Sequence, residues 1–137
     1  MQETTLPIEG FRKLGPETIK TGMLEPIPYE YAGNRDINIL IKQPEYTAVC
    51  PRTGLPDFGA IIIEYVPDQF IVELKSLKYY FLQYRTVGIF YENAVNKILD
   101  DLVSVLQPKK MLVTGDFTAR GGISTTVSAS YEKGDPL

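Results

Sequence analysis

The hydrophobic positions change period along the chain, and each change predicts an element. DINILIKQPEY (36–46) alternates Ile37, Ile39 and Ile41 with polar neighbours. That is the period of a strand with one buried face, and Pro44 is expected to stop it. FGAIIIEYVPD (58–68) is β-branched and aromatic enough for a second strand, ended by Pro67 and Asp68. The period then lengthens. In SLKYYFLQYR, Leu77, Tyr80, Phe81 and Tyr84 fall at i, i+3, i+4 and i+7, one face of a helix. YENAVNKILDDLVSVLQ repeats this with Val95, Ile98, Leu99, Leu102, Val103 and Leu106, and Pro108 closes that helix. KMLVTGDFTARGGISTTVSASYE supplies two more strands about the turn signal Arg120-Gly121-Gly122. The predicted order is ββααββ: an α+β layer of four antiparallel strands with both helices on one face.

Ahead of this pattern, residues 1–34 carry Pro7, Gly10, Pro16, Gly22, Pro26, Pro28 and Gly33 without a sustained period. They read as an extended arm or covering loop, packed through Ile27, Tyr29 and Tyr31. Residues 35–137 are then one domain, the size a chain of 137 residues allows. No apolar run is long enough to span a membrane, and MQETTLPIEG has neither a basic start nor an apolar stretch, so no export or membrane signal is expected. With one cysteine and no histidine, neither a disulfide framework nor a zinc site is expected, and a reducing cytoplasm fits. A net charge of −3 argues mildly against a general nucleic-acid surface.

Candidate chemistry lies in three places. CPRTGLPDFG (50–59) displays Cys50 at a strand end and closes on Asp57. A lone cysteine is either a small buried hydrophobe or a nucleophile; as a nucleophile it needs an acid or base within reach, which Asp57 could be. ELKSLKYY places Lys75 and Lys78 three apart on a helix face that Arg85 extends, either a solvated stripe or an anion cradle to which Arg120 could add a guanidinium. IFYEN puts Phe90, Tyr91 and Glu92 at the mouth of the second helix. Glu92 there either complements the helix end or, beside an aromatic ring, grips a flat nitrogen heterocycle.

CPRTGLPDFG, ELKSLKYY, IFYEN and FTARGG, in that order, resemble the 7-cyano-7-deazaguanine reductase (QueF) family over roughly residues 35–130. The resemblance implies the tunnelling fold, whose sheets join edge to edge into a β-barrel, so a homo-oligomer is expected, two stacked pentamers as in the single-domain branch. It implies NADPH-dependent reduction of the nitrile of 7-cyano-7-deazaguanine to an aminomethyl group, in queuosine synthesis for tRNA, through a thioimidate on Cys50. Asp57 matches the family's proton donor. Glu73, Leu74, Phe90, Tyr91 and Glu92 match substrate positions, and Lys75, Ser76, Lys78 and Arg120 match NADPH positions.

The family's Phe-His-Glu is here Phe90-Tyr91-Glu92, so a histidine is missing. Tyrosine's high pKa makes it a poor shuttle, so Asp57 is expected to carry protonation and Tyr91→Phe to keep most of the rate. Two other readings stand beside the reductase: a branch that adds ammonia to the same nitrile in tRNA, and a purine-binding protein with an idle thiol.

Overall fold

The computed structural model describes residues 13–136. The start of the expected arm, with Pro7 and Gly10, lies outside them. The elements in chain order are β1 (Pro26–Pro28), β2 (Ile39–Val49), β3 (Pro56–Val66), β4 (Phe70–Val72), α1 (Leu74–Leu82), α2 (Tyr91–Leu106), β5 (Lys110–Arg120) and β6 (Ile123–Glu132). Four of the strands form one antiparallel sheet in the order β2-β3-β5-β6, and β1 and β4 form a separate two-stranded pair. The chain is therefore mixed α+β, with two short strands that the sequence pattern did not predict.

Each strand of the large sheet turns alternate residues to the helices. Tyr46 and Ala48 on β2, Ile61, Ile63 and Tyr65 on β3, and Met111, Val113 and Phe117 on β5 are buried in one cluster with both helices. The predicted apolar stripes are its other wall: Leu77, Tyr80, Phe81 and Tyr84, then Val95, Ile98, Leu99, Leu102, Val103 and Leu106, are all buried. Burial of phenol groups requires partners. The Tyr80 hydroxyl donates to Asp101 Oδ2 at 2.6 Å and lies 2.9 Å from the Tyr84 hydroxyl.

Pro44 does not end its strand. β2 continues to Val49 through a register shift between Gln43 and Tyr46. It is an edge strand, where a missing N–H costs no ladder bond, and the bulge absorbs the proline. β3 likewise begins earlier than expected, at Pro56, so Asp57 lies on a strand paired with Ala48 and not in the loop. Helix α2 ends before Pro108, with Gln107 in the left-handed region at φ 48°. The β5–β6 connection is the pair Gly121-Gly122, with φ 58° and 81°, a turn that residues with a Cβ adopt poorly.

The described part of the arm is fastened to the domain. Ile19 and Leu24 enter the core. Pro26–Pro28 pairs with Phe70–Val72, and the Gln83 side chain accepts from Lys20 N at 2.7 Å while donating to Lys20 O at 2.9 Å. The Ser76 hydroxyl accepts from Glu25 N at 3.0 Å and donates to Glu73 O at 2.6 Å. Among the described residues no helix is long and apolar enough to cross a membrane.

Candidate active site

Two backbone seams bring the site together. Cys50 follows β2, and its loop closes on itself: Cys50 N donates to Leu55 O and Gly54 N to Cys50 O, both at 2.8 Å. The adjoining Val49 bridges Gly88, with Val49 N donating to Val87 O at 3.0 Å and Ile89 N to Val49 O at 3.2 Å. This bridge fixes the start of α2 beside the cysteine loop. Phe90 is the N-cap of α2, and Tyr91 and Glu92 are in its first turn. The far end of the β5–β6 hairpin completes the enclosure.

The result is a cleft of about 370 Å³ lined by Cys50, Asp57, Phe90, Tyr91, Glu92, Arg120, Ile123 and Thr125. Asp57 is buried, although aspartate is seldom found so without a partner. Its partners are two. Arg120 Nη1 donates to Oδ1 in an ion pair, and the Tyr91 hydroxyl donates to the same oxygen at 3.2 Å. Arg120 also reaches Pro56 O at 3.3 Å. The Tyr91 ring lies flat on Phe117, centroids 4.0 Å apart and planes 7° from parallel. A cavity of about 350 Å³ elsewhere on the sheet, lined by residues including Glu64, Lys110 and Tyr131, contains no thiol.

The electrostatics suit a reactive sulfur. Partial burial alone would push the Cys50 thiol up, but hydrogen bonds from the Thr53 hydroxyl and from the backbone at Thr53 and Arg52 outweigh it. The thiol therefore sits below its ordinary pKa, even with the Asp57 charge acting upward. Tyr91 moves the other way: burial, then the charge and hydrogen bond of Asp57, raise its pKa, with Arg120 opposing. It is a phenol donor at neutral pH.

Of the residues singled out in the sequence, Cys50, Asp57, Phe90, Tyr91, Glu92 and Arg120 share this cleft, while Glu73, Leu74, Lys75, Ser76 and Lys78 do not line it. Arg120, grouped in the sequence with the two lysines, instead rests on Asp57. Glu73 caps α1: its carboxylate accepts from Ser76 N at 2.7 Å and Lys75 N at 2.8 Å. Leu74, Lys75 and Lys78 are exposed on α1, and Ser76 is buried and spent on the arm. Thr53 and Phe117 were missed. The Thr-Gly pair beside the cysteine was a usable signal for the first; for the second, none existed short of the strand register.

The sequence profile described as QueF-like protein matches residues 56–136, starting just past Cys50. A protein of Chloroherpeton thalassium named NADPH-dependent 7-cyano-7-deazaguanine reductase is 57% identical over 114 residues, 83% of this chain and 97% of that one. One of the same name from Chlorobaculum parvum is 63% identical over 98 residues, 72% of this chain and 84% of that one. Among solved structures, the archaeosine synthase QueF-Like in the apo form aligns with a TM-score of 0.62 over 74% of this chain and 96% of its own, at 21% identity, a likeness of fold. The chain belongs to the QueF-like protein family.

Proposed function

We infer that this chain is an NADPH-dependent 7-cyano-7-deazaguanine reductase, converting the nitrile to an aminomethyl group for queuosine synthesis. The observation that carries the reading is a thiol of lowered pKa sharing one cleft with an ion-paired carboxylate. The relatives that bear this name support it.

The chemistry follows from those groups. Asp57, paired with Arg120, takes the Cys50 proton. Sulfur then adds to the nitrile carbon while one C≡N pair moves to nitrogen, which receives that proton from Asp57, giving a thioimidate. The soft sulfur leaves after the first reduction, when the C–S bond breaks to give an imine that is reduced in turn. Glu92, at the positive end of α2, accepts hydrogen bonds from the ring N–H and amine of the base, and the exposed Phe90 ring offers a stacking face.

NADPH, when bound, supplies a hydride to each of the two reductions. Lys75 and Lys78 suit its phosphates: both are exposed on one helix face and make no ion pair among the described residues. Glu73 keeps free lone pairs on its capping carboxylate for a second substrate contact, with Leu74 beside it.

In this reading the Glu73–Lys78 segment reaches the Cys50 cleft from a second subunit. Strands β2 and β6 are open sheet edges. Leu74, Tyr79 and Leu82 on α1, and Leu55, Phe58, Phe90 and Ile123, are exposed. Such surfaces suit edge-to-edge closure into a barrel, as two stacked pentamers, with residues 35–137 as the catalytic domain and the preceding segment as its cover. The substrate is the free base and not a nucleic acid, and a reducing cytoplasm suits a site built on one unpaired thiol. NADPH oxidation followed by absorbance tests the reading: dependence on the nitrile, lost in Cys50→Ala, is expected, and nitrile-independent or absent oxidation by the folded protein rejects it.

A further inference from the structure

Tyr91 and Arg120 both donate to Oδ1 of Asp57, and no described residue hydrogen-bonds to Oδ2. An aspartate carboxylate rotates broadly about its last side-chain bond, so its two oxygens ordinarily exchange. Two donors converging on one oxygen remove that freedom. They leave Oδ2 as the atom that can take and return a proton.

Arg120 alone is a weak guide for this orientation. It stands at the last position of β5, beyond a register shift between Phe117 and Arg120, and its side chain is 47% exposed. Tyr91 is held far better. Its backbone is in the first turn of α2, and its ring is stacked on Phe117. Phe117 is buried and meets Tyr46 edge-on at 6.0 Å and 70°. Two glycines make room for that ring: a Cβ at Gly115 would come within 2.5 Å of Phe117, and one at Gly59 within 2.8 Å. A packed column therefore runs from the core to a single hydroxyl aimed at Asp57.

We propose that Tyr91 is a positioning residue, which through its bond to Oδ1 fixes Asp57 so that Oδ2 is the oxygen that exchanges protons in the cleft, with Phe117 as the platform that holds Tyr91. The kinetic consequence rests on the reductase reading; the geometric consequence does not.

The test compares Tyr91→Phe, which keeps the stack and loses the donor, with Tyr91→His, which keeps a flat ring and restores an N–H donor. Loss of one hydrogen bond to a charged group should lower kcat about tenfold in Tyr91→Phe. KM for the nitrile should stay within about twofold, because ground-state binding is untouched. Tyr91→His should recover most of the lost kcat. In a crystal structure of Tyr91→Phe, the Asp57 carboxylate should occupy more than one orientation. Parental kcat in Tyr91→Phe, an equal loss in both variants, or a single unchanged Asp57 orientation overturns the proposal. Should the parent protein show no nitrile-dependent turnover, the reductase reading fails, and the Asp57 orientation alone decides this one.

Discussion

Asp57 and Arg120 form an ion pair inside the cleft that holds Cys50. The pairing ties the thiol's chemistry to a residue on the neighbouring strand β5, 63 positions further along the chain. The Asp57 charge raises the Cys50 pKa, and Arg120 offsets that charge where it stands.

Asp57→Asn should therefore separate two properties that usually fall together. Removing the negative charge lowers the thiol pKa further, so Cys50 alkylation by iodoacetamide at neutral pH should quicken about two- to fivefold. Turnover of the nitrile should collapse by at least about a hundredfold, because proton transfer is lost. Slower alkylation together with retained turnover would contradict the assigned roles.

Arg120→Ala acts with the opposite sign on the thiol. It leaves the Asp57 charge uncompensated, so the midpoint of the alkylation rate against pH should move up, and the rate at neutral pH should fall a few-fold. An unchanged midpoint would mean that Arg120 does not act on this site.

Thr53→Val removes the hydroxyl that, with the adjacent backbone, holds the thiol low. The alkylation midpoint should rise, most visibly as a smaller thiolate fraction near neutral pH. The fold should be intact, since the Thr53 side chain is exposed and its one further hydrogen bond is from Leu55 N at 3.2 Å.

Ser76→Ala should report on stability. Its hydroxyl accepts from Glu25 N and donates to Glu73 O, so its loss should cost about 1–3 kcal/mol in denaturant unfolding. An unchanged midpoint with a raised KM for NADPH would return Ser76 to the cofactor role that the family resemblance implies.

Gly115→Ala places a methyl group within 2.5 Å of the Phe117 ring and 2.8 Å of Val95. Overpacking of this kind should cost about 1–3 kcal/mol and tilt the platform under Tyr91. Near-ultraviolet circular dichroism of the tyrosines should change along with the melting temperature; a native spectrum and melting temperature would place the strain elsewhere.

The two helices and the β5–β6 hairpin were legible because their signals are local. Leu77 to Tyr84 and Val95 to Leu106 repeat at helical spacing over enough turns to fix the buried face, and Gly121-Gly122 fits only a tight turn. Pro44 misled because a sequence cannot say which strand is an edge. The β1–β4 pair was invisible, since three-residue strands have no period and their partners are far apart in the chain. Residue type and motif singled out Cys50, Asp57 and Glu92 as candidates, but did not show that they line one cleft. The Asp57–Arg120 pair was not legible: it spans the β3–β5 register, and Arg120 read equally well as a phosphate ligand. From its pKa and the family resemblance Tyr91 reads as a substrate-position residue that is a poor proton shuttle, with most of the rate kept in Tyr91→Phe. Its geometry gives the hydroxyl a definite partner, and the tenfold loss expected for Tyr91→Phe exceeds what the sequence suggested.

Covalent attack by Cys50 is tested by the intact mass of the chain after incubation with 7-cyano-7-deazaguanine in the absence of NADPH. One covalent adduct per chain, equal to the mass of the nitrile, is expected, absent in Cys50→Ala and discharged when NADPH is added. A protein that turns over the nitrile with no such adduct, or one that keeps the adduct in Cys50→Ala, would contradict attack by Cys50.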